Sequence, residues 1–428
     1  MSTQRWLVAI LAVSLLLGTI PDVQAQRAPI ALRVVFPGTS EPERAYSLRL
    51  KEVAERRFPD IRVEMMYIGW PELERKLAVM LPGGDIPDIV MQQEATTLVG
   101  MKALEPLDDY LRQSTRLRRD AFFGGVWNFS VYDGRLYTIP ILAIGYGLVV
   151  REDLLNATGF KLSDLATWED LKRAARAMTR GEVYGYGYPL GLPRFAWREG
   201  PYIAGYSNNV DISDTSEAAK PRYLEVLRLF RELKPFMPPN AKVMGLRDAF
   251  QAYALGTIGM MPSGSFFVAN VYPMNPKILA HTRAIPYPRG PSARAPWAPV
   301  ANAGWAIFAA SRNKAAAWRV LEEWTTPENL TEQVALINLP PRNDLDITRV
   351  AVRAASFYPE AAVDNRRILN DFVAAIDAYG RPMGKINRRE EIEVVFQQVM
   401  IRLLDGELTP EAAYDRIKAE IDRIKAGR

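Results

Sequence analysis

The chain of 428 residues contains no cysteine and a single histidine, His281. The first absence excludes thiol catalysis, disulfide cross-links and Cys-ligated zinc or iron–sulfur centres. The second excludes a two-histidine zinc site and leaves a Ser-His-Asp triad only one possible base. His281 sits in a loop-like region near Pro286 without a recognisable Ser or Asp partner motif, which suits a surface or packing role. The glycine-rich pieces, Gly83-Gly84 and Gly185–Gly191, lack the Lys-Ser/Thr ending of a phosphate loop and the G-x-G-x-x-G spacing of a dinucleotide site. Asp211-Ile-Ser-Asp214 lacks the glycine and distal glutamate of a calcium loop. No metal and no cofactor are therefore expected. A carboxylate pair, as in glycoside hydrolases, is the one catalytic device composition permits, yet nothing local singles out two of the 49 acidic residues.

Charge of one sign is also missing as a pattern. Lys and Arg number 54 against 49 Asp and Glu, a formal excess of +5, and both signs are scattered along the chain. The densest basic cluster, Arg116-Leu-Arg-Arg119, is followed at once by Asp120. A nucleic-acid binder concentrates its basic residues on one face or arm, so no nucleic-acid partner is expected.

Long apolar runs occur only at the start. Arg5 precedes a continuous apolar stretch from Trp6 to Leu17, Pro21 breaks it, and Val23-Gln24-Ala25 places small residues at the −3 and −1 positions of a cleavage site. This pattern is a secretory signal peptide over residues 1–25, with Gln26 as the expected mature start. The run is shorter than the ~20 residues a membrane span requires. With no cysteine to carry acyl chains, the exported protein is expected to be free rather than a lipoprotein, which places it in a periplasm.

The mature chain begins with alternating strands and helices. Ala31–Phe36 reads as a strand, Ser40 and Glu43 as a capping box opening a helix to Arg57, and Ile61–Ile68 as a second strand. A helix from Pro71 to Met80 and a short apolar strand, Asp88–Met91, complete a β-α-β-α-β order, which predicts a doubly wound parallel sheet. Ligands of such sheets lie beyond the carboxyl ends of the strands. Those ends carry Thr39-Ser40-Glu41, Trp70 and Gln93-Glu94. The pattern restarts with a strand at Gly147–Val150, a helix over 167–179 capped by Thr167 with Asp170 at N3, and a long helical stretch from Glu217 to Leu233. Trp305–Ala309 predicts a further strand. The tail predicts a helix opened by Thr409-Pro410, with Ala413, Tyr414, Ile417, Ile421 and Ile424 on one face.

Aromatic residues are plentiful, and several stand in polar or glycine-containing contexts: Trp70, Tyr146, Trp197, Tyr202, Tyr206, Phe266 and Trp305. Such faces pack on the C–H faces of sugars while neighbouring amides and carboxylates bond the hydroxyls. Most aromatics fill cores, and Trp168 and Trp318, inside helical patterns, are expected there.

A series of short motifs in one order then gives the chain a resemblance. Gly84-Asp-Ile-Pro-Asp-Ile-Val90, Tyr132-Asp-Gly-Arg-Leu-Tyr-Thr-Ile-Pro140, Leu148-Val-Val-Arg-Glu-Asp-Leu154 and Thr167-Trp-Glu-Asp-Leu171 are followed by Phe250–Met260, Ser263-Gly-Ser-Phe266, Asn302-Ala-Gly-Trp305, Lys314–Trp318 with Thr326-Pro-Glu328, and Pro340-Pro-Arg342. Together they resemble the family 1 extracellular solute-binding proteins of ABC importers, the group that includes maltose-binding protein. The resemblance covers nearly all of the mature chain. Two departures are the Val149-Val-Arg151 segment, which lacks the family's Tyr-Asn, and Phe266, which stands for its usual Trp.

The resemblance implies a periplasmic-binding-protein fold: two doubly wound α/β lobes joined by a three-crossing hinge near Ile139–Ala143, Val300–Ala303 and Asn338–Arg342. The lobes would be residues 26–140 plus 303–340 and residues 141–302 plus 341–428. It implies a monomeric receptor, not an enzyme, that closes on a small solute and docks on membrane permease subunits. A sugar would stack on Trp70, Trp197, Phe266 and Trp305, with Tyr146 and Tyr206 beside them. Thr39, Ser40, Glu41, Gln93, Glu94, Ser263 and Ser265 would bond its hydroxyls. Arg198, Arg283 and Arg342 would suit an anionic solute such as a sugar or polyol phosphate instead.

Overall fold

The computed structural model describes residues 28–426 apart from 39, 337, 338 and 387. The expected signal peptide, Thr39 and the Asn338 end of the third crossing lie outside the described residues.

Strand β1 (Ile30–Phe36), helix α1 (Glu41–Arg57), β2 (Ile61–Tyr67), α2 (Leu73–Met80) and β3 (Ile89–Gln92) follow the expected order. β1 is parallel to β2 from Ile30 opposite Ile61 to Phe36 opposite Tyr67, and parallel to β3 at Val34 and Val35. At the start of α1 the Glu43 carboxylate accepts from both the Ser40 backbone N–H (3.0 Å) and Oγ (2.6 Å), which fixes the turn after β1.

Two long strands then tie the molecule together: β4 (Ile139–Arg151), and β8 (Ala298–Ile307), which follows β5 (Tyr184–Tyr186), β6 (Ile258–Gly264) and β7 (Thr282–Ile285). The thirteen residues of β4 are all buried, as expected of a strand covered on both faces. Its first half is antiparallel to β8, which in turn lies antiparallel to β3. Its second half, from Tyr146, is antiparallel to β6 and β7, and β5 adds in parallel to β6. The strand order is therefore β2-β1-β3-β8-β4-β6-β5. One continuous pair of strands serves two sheets, which makes a two-lobed α/β molecule with β4 and β8 as connections.

Both connecting strands begin earlier than the sequence predicts, at Ile139 rather than Gly147 and at Ala298 rather than Trp305. Pro140 argues locally against a strand. It is accommodated opposite Gly304, where the β4–β8 register shifts and a bulge relaxes the ladder. A third connection runs beside them, for Ala143 and Leu339 exchange backbone hydrogen bonds at 3.0 and 3.1 Å.

The helices follow their caps. α3 (Trp168–Met178) starts at Thr167, whose backbone N–H donates to Asp170 at 2.9 Å while its Oγ1 accepts from the Asp170 N–H at 3.3 Å. α4 (Pro193–Trp197) is short, and α5 (Lys220–Leu233) is amphipathic. After β8 come α6 (Lys314–Trp324), α7 (Pro327–Leu336), α8 (Ile347–Phe357), α9 (Ala362–Tyr379), the short strand β9 (Gly380–Pro382), α10 (Arg389–Leu404) and α11 (Pro410–Lys425). Ala413, Tyr414, Ile417, Ile421 and Ile424 are all buried, as their spacing predicts, with α11 against α10 and α5. Trp168 and Trp318 are buried in their helices.

β5 runs close under α3. A Cβ on Gly185 would fall 1.9 Å from the Ala175 carbonyl oxygen, a contact no backbone tolerates without moving. Gly185→Ala is expected to destabilise the fold by about 1–3 kcal/mol, the usual range for overpacking. The check is a lowered urea midpoint at unchanged m-value. An unshifted midpoint would show that the helix yields freely.

Candidate functional site

The polar side chains converge where β3 ends. Gln92 closes that strand, and Gln93 and Glu94 project beyond its carboxyl end, the position where open α/β sheets bind ligands. Facing them are α4 and the turn that follows it, carrying Arg194, Trp197, Arg198 and Glu199. Pro193 fixes the first turn of α4, and Gly200 takes a non-helical φ of −131° and ψ of −118°, which kinks the chain after Glu199. The third wall is the first turn of α10, where Arg389 and Glu393 lie four residues apart on one face.

Arg389 is the centre of this network. It donates to Glu94 (2.7 Å) and Glu74 (2.6 Å), and its Nε lies 3.0 Å from Glu393. Arg389, Glu94 and Glu393 are all buried. The Gln92 amide donates to Glu74 at 3.2 Å and to the Glu94 carbonyl at 2.8 Å. Beside this group the Gln93 amide donates to the Tyr146 hydroxyl at 2.9 Å, and its carbonyl oxygen accepts from Arg194. Arg198 donates through Nε and Nη2 to one oxygen of Glu199, at 2.8 and 2.5 Å. The Arg198 guanidinium also covers the rings of Tyr146 (5.1 Å) and Phe266 (5.7 Å), and that of Arg194 covers Trp70 (5.4 Å).

Burial sets the electrostatics. It pushes the Glu94 carboxyl up to about 7 in spite of Arg389, and it raises Glu199 and Glu393 as well. Burial opposes the Arg389 charge, but Glu74, Glu94 and Glu393 outweigh it and hold that guanidinium protonated above its usual range. Arg194 behaves in the opposite way: burial first, then the Arg389 and Arg198 charges, push it down to about 10.

Several buried atoms in this network have no hydrogen-bond partner: the acceptors Glu74 Oε2, Gln92 Oε1 and Glu199 Oε2, and the donor Trp197 Nε1. An unpaired buried polar atom costs about 1–3 kcal/mol, so a polar group that reached these atoms would gain by pairing with them. The cavity between these walls measures only about 20 Å³ and is lined by Gln93, Glu94, Arg194, Trp197, Arg198 and Arg389, among others. That is room for about one water, so the cleft in this form is closed to a solute of sugar size. A much larger cavity, about 720 Å³, lies against β4 and β8 among Val300, Leu339, Val350, Leu369 and Ile376. Its walls are mainly aliphatic, with Asn365, Arg366, Asn370, Asp377 and Arg381 among the lining residues, and none of the aromatic and polar residues expected from sequence to meet a solute lies there.

The structure brings together part of the set expected from sequence. Gln93, Glu94 and Trp197 line the small cavity, and Trp70, Tyr146 and Phe266 contact residues that line it. Ser263 and Ser265 are buried at the end of β6; Ser263 Oγ has no partner, and the Ser265 N–H donates to the Gly145 carbonyl at 2.8 Å. Ser40 is occupied in the cap of α1, and Glu41 is exposed in its first turn. Tyr206 stands one layer away, stacked on Trp297 at 4.1 Å with its hydroxyl donating to Asp211. Trp305 is fully buried between Phe36 and Trp324, in the core beneath β1. Arg342 forms a two-pronged pair with Asp344 at 2.8 and 2.7 Å and donates to the Thr325 carbonyl, while Arg283 pairs in the same way with Asp371. Sequence reasoning did not single out Arg194, Arg389, Glu74, Glu199 or Glu393. The one local signal was Arg389 and Glu393 at helical spacing, which elsewhere describes an ordinary solvated pair.

Two sheets joined by long crossing strands, with a polar cluster closed between them, define a two-lobed binding protein. The chain belongs to the bacterial extracellular solute-binding protein family, whose model matches residues 42–331. Among curated relatives, a putative binding protein of Brucella abortus is 26% identical over 287 residues, 65% of this chain and 67% of that one. A maltotriose-binding protein of Pyrococcus abyssi is 24% identical over 296 residues, 64% of this chain and 58% of that one. Two solved structures share the fold. An ABC transporter solute-binding protein of Thermotoga lettingae bound with α-D-tagatose superposes with a TM-score of 0.76 at 20% identity, over 92% of this chain and 99% of that one. The sugar-binding protein MalE of Xanthomonas citri does so with a TM-score of 0.70 at 20% identity, over 93% and 98%. The family is one of binding proteins rather than enzymes, in line with the expectation from sequence. No helix among the described residues is long and apolar enough to cross a membrane.

Proposed function

We propose that this protein is an exported receptor of an ABC importer that captures a carbohydrate between its two lobes and delivers it to the membrane permease. The observation that carries this reading is the closed cluster at the end of β3, where buried unpaired acceptors and an indole N–H lie among aromatic rings. Sugar hydroxyls are donors as well as acceptors, and sugar C–H faces suit Trp70, Trp197 and Phe266. The names of the maltotriose-binding relative and of the tagatose-bound neighbour support the same solute class.

In this reading the lobes are residues 26–140 plus 303–340 and residues 141–302 plus 341–428. Gln93, Glu94, Ser263 and Ser265 bond hydroxyls, Tyr146 positions Gln93, and Ser40 and Glu41 lie at the rim. Trp305, Tyr206 and Arg342 support the walls. The cleft must open to admit solute, and a solute that touches both lobes favours the closed form. Export by a cleaved signal peptide, a periplasmic location without a lipid anchor, and a monomer without a nucleic-acid partner belong to the same proposal.

A thermal-shift screen across neutral sugars, sugar acids, polyols and sugar phosphates tests it. A solute at a hundredfold excess over its Kd adds about 2.7 kcal/mol to stability. No shift with any carbohydrate in the panel sinks the assignment.

A further inference from the structure

The large cavity lies on the reverse face of the connecting strands from the cleft. Val300 and Ala301 are consecutive on β8 and so point to opposite faces; Val300 lines this cavity and Ala301 lines the small one. Ala143, Val300 and Leu339 form its floor, and α7, α8 and α9 its walls. Its volume of about 720 Å³ falls within the range of small-molecule sites. Phe123, Ile347, Val363 and Val373 stand exposed at its edge, an apolar patch of the kind that marks a binding surface. The lining follows α9 from Ala362 to Asp377, about 22 Å at the helical rise, so the space is long as well as apolar.

Its polar residues are unpartnered. The side chains of Asn365, Arg366, Asn370, Asp377 and Arg381 make no hydrogen bond or ion pair to another described residue. Asn365 is only 3% exposed, and an amide buried in that way is costly unless the occupant of the cavity bonds it. Asn365 and Arg366 lie at the N-terminal end of α9, whose N-cap, Ala361, offers no side chain to the free N–H groups. That end of an 18-residue helix carries partial positive charge, and the nearby Asp364 is held by Arg367 at 2.8 Å. At the far end of α9, Asp377 offsets Arg381, so the two ends differ in sign preference.

We propose that this groove binds a free aliphatic carboxylate of the fatty-acid type. Its chain lies along α9 against Val334, Leu339, Val350 and Leu369, and its head group is received by Asn365 and Arg366. A guanidinium and an amide supply paired N–H donors to a carboxylate, and the aliphatic walls supply burial for the chain. The site is separate from the solute cleft and does not depend on what the cleft binds.

The test is calorimetric titration of the full mature chain with octanoate, decanoate and dodecanoate, each below its micelle concentration, beside decan-1-ol and decyltrimethylammonium. A single acid is expected to bind per chain, with affinity rising about tenfold for every two added methylenes. Decanoate is expected to bind about tenfold more tightly than the alcohol or the cation. Arg366 is exposed, so Arg366→Gln tests the head group without disturbing the core. It is expected to weaken decanoate about tenfold and leave decan-1-ol within about threefold, whereas Arg381→Gln leaves both within that range. Ala355→Trp, which fills the groove, is expected to abolish binding of both compounds; should it melt early, Arg366→Gln carries the test. Binding of none of the acids, or equally tight binding of the decyl cation, would overturn the proposal. Uptake of several decanoates per chain that neither variant alters would do the same. So would a concentration-dependent dimer in sedimentation that Ala355→Trp abolishes, which would give the groove to a second copy. Capture of the protein by phosphatidylglycerol vesicles without binding of free acid would give it to a lipid surface and overturn the proposal too.

Discussion

Replacing Arg389 by Met is expected to cost about 3–5 kcal/mol at pH 8, the range for removing one partner of a buried ion pair. The substitution keeps much of the side-chain volume but strands three carboxylates, Glu74, Glu94 and Glu393, that the guanidinium holds at 2.6–3.0 Å. The sign of the pH dependence follows from burial. Glu94 titrates at about 7 in the folded chain against an ordinary 4.5, so the folded state binds more protons than the unfolded one between those values. Stability from this group is therefore lost as pH rises from 4.5 to 7, and regained on acidification through the same window. Without Arg389 the Glu94 and Glu393 carboxyls rise further, and the deficit of the variant is expected to shrink at pH 5. Urea melts of both proteins at pH 5 and pH 8 check this. An equal deficit at the two pH values would mean that lost packing, not stranded charge, is responsible. Adding Glu94→Gln to Arg389→Met is expected to recover part of the loss at pH 8, because one stranded carboxylate is gone.

Trp305→Ala is expected to destabilise the chain by about 3–5 kcal/mol, the usual cost of truncating a buried Trp. The indole is fully buried, with Phe36 at 6.1 Å and Trp324 at 5.0 Å between ring centroids. Its Nε1 has no hydrogen-bond partner, so Trp305→Phe removes an unsatisfied donor along with some volume and is expected to cost far less. Solute affinity measured on whichever variant folds is expected to stay within threefold of wild type. Loss of binding at unchanged melting temperature would instead put Trp305 against the solute.

Trp305 and Trp197 show what local reading can and cannot separate. Both stand beside glycine or polar residues, and both present large apolar faces in a polar context. Trp305 lies on β8 with its ring turned into the core, and Trp197 ends α4 at the cavity wall. Which of two similar tryptophans meets the cleft depends on the face of the strand or helix that carries it. That face is set by register against β3 and by the packing of α4 on α10.

By itself the sequence determined the chemistry this protein lacks, the parallel β1–β2–β3 unit with its capped helix, the amphipathic tail and the solute-binding family, because these rest on composition, alternation and short motifs. Capping at Ser40 and Thr167 was legible because it involves residues three apart. Only the tertiary structure decided that Pro140 sits within a strand, since the bulge that admits it is made by Gly304, far away in sequence. It alone joined Arg389 to Glu94 and Glu74, which are separated by 295 and 315 positions. Buried ion pairs have no local signature: the same side chains on a solvated face carry the same letters. What distinguishes them is exclusion of water, and that arises only when distant segments close over one another.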